Sequence, residues 1–184
     1  QSTSAARPLM SARVNTLTFP EDFSNAIWVS DVDAGNTLTK TLGQTDPLGG
    51  TSAARLVMHD VTGAWYQCAF RYNGLLATEQ VNRSWWIKSN TGDSYTVYTG
   101  DTPVNIAADT EWHRYDVSES FGSWGTRISV HLTSCDITLA FPQRELGTTV
   151  TPYQSVPGDG STYATAFPIF QKYDGTDDGM ATAA

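Results

Sequence analysis

Short stretches in which apolar and polar side chains alternate, set apart by Gly, Pro, Asn and Asp, decide what this chain can fold into. Ala53 to His59, Trp65 to Tyr72, Asn82 to Ser89, Ser94 to Thr99, Trp112 to Val117, Arg127 to Thr133 and Ile137 to Phe141 show that pattern most clearly. A period of two puts successive side chains on opposite faces of a half-buried strand. Between these stretches lie turn formers such as Asp46-Pro47-Leu48-Gly49-Gly50, Asn90-Thr91-Gly92-Asp93 and Gly122-Ser123-Trp124-Gly125. Punctuation at such intervals is what two packed sheets produce. No helix-period apolar stripe exceeds two turns, and no internal repeat is present. The expected fold is all-β, a sandwich of two antiparallel sheets.

With 184 residues the chain is long enough for one domain with a substantial core. Charged residues are sparse at 16% and aromatics frequent at 11%, a balance that suits strands and turns better than helices. The net charge of -8 repels phosphate backbones and anionic lipid, so affinity through counterion release has nothing to work with. No apolar run approaches the ~20 residues a membrane-spanning helix needs, and the N-terminus lacks the basic-then-apolar pattern of a signal peptide. Neither nucleic acid nor membrane is expected as a partner. Cys68 and Cys135 could form one bridge; alternatively Cys68, alternating with Tyr66 and Phe70, packs as a buried thiol.

Residues 1–13 are small and polar, include Pro8 and read as a linker. The main domain is expected over residues 14–156. Beyond it, Pro157-Gly158-Asp159-Gly160-Ser161 is a flexible stretch, and Phe167 to Met180 reads as a strand running into an acidic turn. Residues 157–184 are therefore expected to be a linker and the start of a following segment, a joint to neighbouring domains of a longer chain.

Two terminal segments carry a resemblance. Asn15-Thr16-Leu17-Thr18-Phe19-Pro20-Glu21-Asp22-Phe23-Ser24-Asn25-Ala26-Ile27-Trp28, and Gln143-Arg144-Glu145-Leu146-Gly147 with Thr151-Pro152-Tyr153, resemble the first and last strands of jelly-roll domains of the carbohydrate-binding-module type found in bacteriophage virion proteins. Asp46 to Leu56 resembles the turn leading into the family's second core strand. Ser84-Trp85-Trp86-Ile87-Lys88-Ser89 resembles its central strand, and Thr110-Glu111-Trp112-His113-Arg114-Tyr115 its late Trp strand. The departure is Phe141-Pro142-Gln143, where relatives carry Gly before the Gln; Pro there calls for a sheet edge or a bulge. Phe167 to Met180 resembles the opening strand of a laminin-G-like sandwich.

The resemblance implies a jelly-roll β-sandwich, a non-catalytic module, a carbohydrate partner and a virion or extracellular location. The alternative within the same resemblance is a structural, decoration or host-adhesion module with protein partners. Such jelly rolls often hold a structural Ca²⁺ near the paired terminal strands, and hard oxygen ligands suit that ion. Glu21, Asp22 and Glu145 are the carboxylates available for it here.

Alternation then sorts side chains. Tyr66, Cys68, Phe70 and Tyr72 are assigned inward, as are Trp85 and Ile87, and Ile128, Val130 and Leu132. The outward set is Trp65, Gln67, Arg71, Ser84, Trp86, Lys88 and His131, with Trp124 added from its Gly-bounded loop. Indole faces stack on the apolar face of a pyranose while donors and acceptors read its hydroxyls, so these residues are the candidate ligand-binding set. The competing role for Trp65, Trp86 and Trp124 is burial against loops. Trp28 and Trp112 are assigned to packing. His59, His113 and His131 are too scattered for a metal triad, and Asp174, Asp177 and Asp178 do not fit an EF-hand loop. No carboxylate pair or nucleophile elbow stands out, so an enzyme is not expected.

Overall fold

Alternation in the sequence becomes two stacked sheets in the computed structural model, which describes residues 15–63, 67–74, 80–119, 125–147 and 149–156. The strands are β1 Trp28–Val32, β2 Thr37–Gln44, β3 Ala53–His59, β4 Cys68–Tyr72, β5 Val81–Ser89, β6 Tyr95–Thr99, β7 Thr102–Ile106, β8 His113–Glu119, β9 Arg127–Ser129 and β10 Ser134–Leu146. The first sheet has the order β1-β4-β9-β6-β7 and the second β2-β3-β10-β5-β8. Every strand pairing is antiparallel. The described residues form no helix, and the architecture is the expected jelly-roll sandwich.

The core lies between the sheets and is built by the side chains that alternation turns inward. The first sheet supplies Trp28, Cys68, Phe70, Tyr72 and Ile128; the second supplies Leu56, Met58, Trp85, Ile87, Ile137 and Leu139. Trp28 is the hub: it stacks on Phe70 with centroids 5.5 Å apart and meets Phe23, Tyr72 and Trp85 edge-on. Each such aromatic pair contributes about 0.5–1.5 kcal/mol beyond its buried area. The Trp28 indole N–H donates to the Phe19 carbonyl at 2.7 Å, so burial of the ring strands no donor there.

A seam joins the two terminal segments. Thr16 N–H donates to the Arg144 carbonyl at 2.8 Å, and Asn15 N–H to Gln154 Oε1 at 2.7 Å. The Asn15 amide group donates to the Pro142 and Gln154 carbonyls, while its oxygen accepts from the Leu17 and Arg144 N–H groups. Asn15 is fully buried. A side-chain amide, with donors on one side and an acceptor on the other, is the group this position needs.

Where Pro142 interrupts β10, the register against β5 slips between Ala140 and Gln143. Pro has no N–H to give the ladder, so the bulge expected at this point is the physical outcome. Phe141 absorbs the bend at φ 50°.

The three inward assignments from Arg127 to Thr133 meet different fates. Ile128 and Val130 are buried, but Leu132 is 62% exposed, a correction to its expected place in the core. The strand stops at Ser129 because the Asp60 carboxylate claims the Leu132 N–H at 3.1 Å, along with those of Thr62 and Gly63, and Leu132 turns to φ 50°. Cys68 and Cys135 are both buried free thiols.

Candidate functional site

The outer face of the second sheet gathers large aromatic side chains around small ones. Register places Lys88 beside Thr138 and Thr138 beside Arg55, and places Trp86 between Ala140 and Arg114. Since Trp85, Ile87 and Leu139 point into the core, these neighbours point away from it. Ala53, Ala140 and Phe141 form an apolar cluster on this face, and Trp86, Trp112 and Tyr153 pack against it, each half-buried.

Phe141 belongs to the cluster because of the bulge. Strict alternation would turn it inward, next to Leu139; the positive φ adds one residue and leaves it beside Ala140. A non-glycine residue in that conformation costs roughly 1–2 kcal/mol. The Phe141 ring lies on that of Tyr153, centroids 4.7 Å apart and planes 25° apart.

Polar groups around the cluster are held in fixed orientations. Lys88 Nζ sits 5.3 Å from the centroid of the Trp112 ring, a cation–π contact. Arg114 donates to Ser84 Oγ at 2.9 Å. Thr138 Oγ1 donates to Asn90 Oδ1, and Asn90 Nδ2 to Asp136 Oδ1, which also takes the Arg55 guanidinium. The turn that carries Trp112 is pinned by Asp109, whose carboxylate accepts from the Glu111 N–H at 3.0 Å and faces His113 Nε2 at 2.9 Å.

Beyond Tyr153 the face runs into a cleft of about 760 Å³, lined by Glu21, Asp46, Leu48, Thr51, Ser52, Phe141, Tyr153 and Ser155 with Gly50. The Tyr153 hydroxyl donates to Glu21 Oε1 at 2.8 Å. Burial, and then the charge and hydrogen bond of Glu21, push the Tyr153 phenol well above its ordinary range, so its proton stays in place. For Asp46, burial works toward a higher value, but the Ser52 hydroxyl and the Ser52, Leu48 and Gly50 N–H groups outweigh it and hold the carboxyl below its usual range. Gly50 is required there: a Cβ would lie 2.6 Å from Asp46 Oδ2.

The residues expected to bind ligand do not share one surface. Trp86 and Lys88 stand on the outer face of the second sheet. Arg71 lies on the first sheet, ion-paired with Asp31 and bonded to Asn73. Gln67 and His131 flank the loop at residues 60–63: Thr62 Oγ1 donates to Gln67 Oε1, and His131 Nε2 donates to the Gly63 carbonyl. Trp65 and Trp124 lie outside the described residues. Alternation separates inside from outside but cannot tell two outer faces apart, so the single outward set is corrected to separate surfaces. Trp112, Phe141 and Tyr153 are the site residues missed; the Pro142 bulge was the available signal for Phe141.

Glu21, Asp22 and Glu145 are not gathered into one group of side-chain ligands in the described structure. Glu145 is fully buried and accepts from Gln143 Nε2, Thr151 N–H and Thr151 Oγ1; Asp22 accepts from Ser24, and Glu21 from Tyr153. Among the described residues no group of three or more His, Cys, Asp or Glu is placed to hold a metal ion.

No protein-family model matches the chain, and no curated protein does. Among solved structures it is similar to the xylan-binding domain CBM22-1 of Paenibacillus barcinonensis Xyn10C, at 16% identity and TM-score 0.43, covering 76% of this chain and 100% of that one. It is also similar to the CBM22-1 and GH10 modules of Clostridium thermocellum endo-1,4-beta-D-xylanase 10B complexed with xylohexaose, at 12% identity and TM-score 0.43; the match covers 77% of this chain but spans only 29% of that one. A third is the enzymatically active domain of bacteriophage CBA120 tailspike protein 4, at 15% identity and TM-score 0.42, covering 73% and 22% of the respective chains.

Proposed function

We propose that this chain is a non-catalytic module that binds a poly- or oligosaccharide on the outer face of its second sheet. The observation that supports the reading is the cluster of Trp86, Trp112, Phe141 and Tyr153 on one face, beside the oriented polar groups of Lys88, Arg114 and Asn90. Aromatic faces give area to the C–H side of a sugar ring, and fixed donors and acceptors meet its hydroxyls without reorganising. Arg71, Gln67 and His131 have no part in this reading. We extend it to a virion or extracellular setting, supported by the resemblance of the terminal segments.

The test is equilibrium titration against a polysaccharide panel that includes xylan, with Trp86→Ala and Trp112→Ala alongside. The expected result is a loss of about tenfold or more in affinity for each variant, the order of one removed stacking partner. Undiminished binding in both variants would place the ligand elsewhere. No binding to any glycan, together with self-association or capture of a protein partner, would turn the reading toward a structural module.

A further inference from the structure

We infer that the cleft beside Tyr153 takes a protonated primary amine carried on the glycan, so that the preferred ligand is a sugar chain with free amino groups. This deepens the reading of the aromatic face and rests on it. The cleft and the face share Phe141 and Tyr153, so a chain lying over Trp86 and Ala140 continues into it.

The lining decides the charge of what fits. Among the described residues that line the cleft there is no Lys, Arg or His, while Glu21 and Asp46 are present. Asp46 is only 5% exposed and its oxygens are taken by Leu48, Gly50 and Ser52, so it supplies negative charge without a free acceptor. Glu21 is different: the Tyr153 hydroxyl occupies Oε1, and its other oxygen accepts no hydrogen bond among the described residues. Lys40, the neighbouring cation on β2, donates to the Phe23 carbonyl beside Asp22 and does not line the cleft.

A metal ion finds too few free oxygens here. A uronate or sulfate meets like charge. A neutral hydroxyl would also make a charge-assisted bond to Glu21, but an ammonium adds the attraction of a full positive charge to both Glu21 and Asp46. An ammonium, with three donors, suits a lining that offers Glu21 together with the hydroxyl-bearing residues Thr51 and Ser155.

The experiment compares binding of the full chain to glucosamine oligomers, their N-acetylated counterparts, neutral glucose oligomers of equal length and a lysine-rich peptide, at mildly acidic pH and physiological salt. The amino oligomer is expected to bind about tenfold tighter than its acetylated counterpart. Glu21→Gln, which still accepts the Tyr153 bond, is expected to abolish that difference. Asp93→Asn, an exposed acid at the turn before β6 that does not line the cleft, is expected to preserve the difference. Equal binding of amino and acetylated oligomers overturns the inference, as does a preference that survives Glu21→Gln or disappears in Asp93→Asn. A lysine peptide that binds as tightly as the amino oligomer overturns the assignment to a glycan. Trp86→Ala separates the two readings: if the Glu21-dependent amine preference persists while Trp86→Ala changes no affinity, the aromatic face fails and the cleft stands.

Discussion

The ring of Phe141 rests on the ring of Tyr153 at 4.7 Å between centroids, and that contact ties the bulge of β10 to the segment that follows it. The stack offsets the unfavourable φ of Phe141 and sets the wall shared by the aromatic face and the cleft. Phe141→Ala keeps the unfavourable backbone and loses the ring, so it is expected to destabilise the fold by about 3 kcal/mol in urea denaturation. Tyr153→Phe keeps the ring and loses one hydrogen bond to Glu21, with an expected cost of about 1 kcal/mol. Equal effects of the two changes would count against the stack as the larger contribution.

Asn15 is expected to be the most sensitive polar residue of the terminal seam. Its side chain serves the Pro142 and Gln154 carbonyls and the Leu17 and Arg144 N–H groups from a fully buried position. Asn15→Ala leaves those groups unsatisfied and should cost about 2–3 kcal/mol, read as a lowered Tm. Asn15→Asp should cost more, because a carboxylate would face two carbonyl oxygens. A Tm unchanged in Asn15→Ala would mean the seam contributes nothing to stability.

Acid sensitivity follows from Asp46 and Asp60. At Asp60, as at Asp46, burial pushes the carboxyl up but loses to donors, here the Leu132, Thr62 and Gly63 N–H groups and the Thr62 hydroxyl, leaving both values lowered. A carboxyl lowered in the folded state stabilises it fully above the unfolded value of about 3.9, and that contribution is lost as pH falls through the folded value. Stability should therefore drop steeply below about pH 4. Asp46→Asn and Asp60→Asn should each flatten that drop and lower stability at neutral pH, measured by denaturant titration across pH. A slope unaltered in both variants would assign the acid response to other groups.

The thiols should be silent in the folded protein. Burial raises both, Cys135 to about 12 and Cys68 in the same direction, and Cys68 Sγ also faces the Thr37 carbonyl at 3.3 Å. Alkylation with iodoacetamide at pH 8, followed by mass spectrometry, is expected to label neither under native conditions and both in denaturant. Rapid native labelling of either would mean that the core opens there.

Much of the sandwich was legible in the sequence because one physical rule governs it. Alternation placed Cys68, Phe70, Tyr72, Trp85, Ile87, Ile128 and Val130 in the core, where they are, and Pro142 signalled the bulge through its missing N–H. Leu132 escaped because the carboxylate that ends its strand sits seventy-two positions away, at Asp60. The site was less legible for two reasons. Period two does not say which sheet a strand joins, so Arg71 and Trp86 looked like neighbours although they stand on different sheets. And Phe141 faces out only because its backbone takes a conformation that its residue type disfavours; Pro142 signals the bulge, but period two alone does not say which side chain it turns outward.

The terminal seam also has a mechanical meaning. Residues 15–16 and 142–154 are bonded directly to one another, so tension applied through whatever flanks them loads those few bonds before it reaches any strand of the core. The module would hold its shape until the seam parts, then yield from its ends inward. The same adjacency makes the module a natural candidate for circular permutation, with the chain joined directly between the segments at residues 15 and 154 and opened in a surface turn.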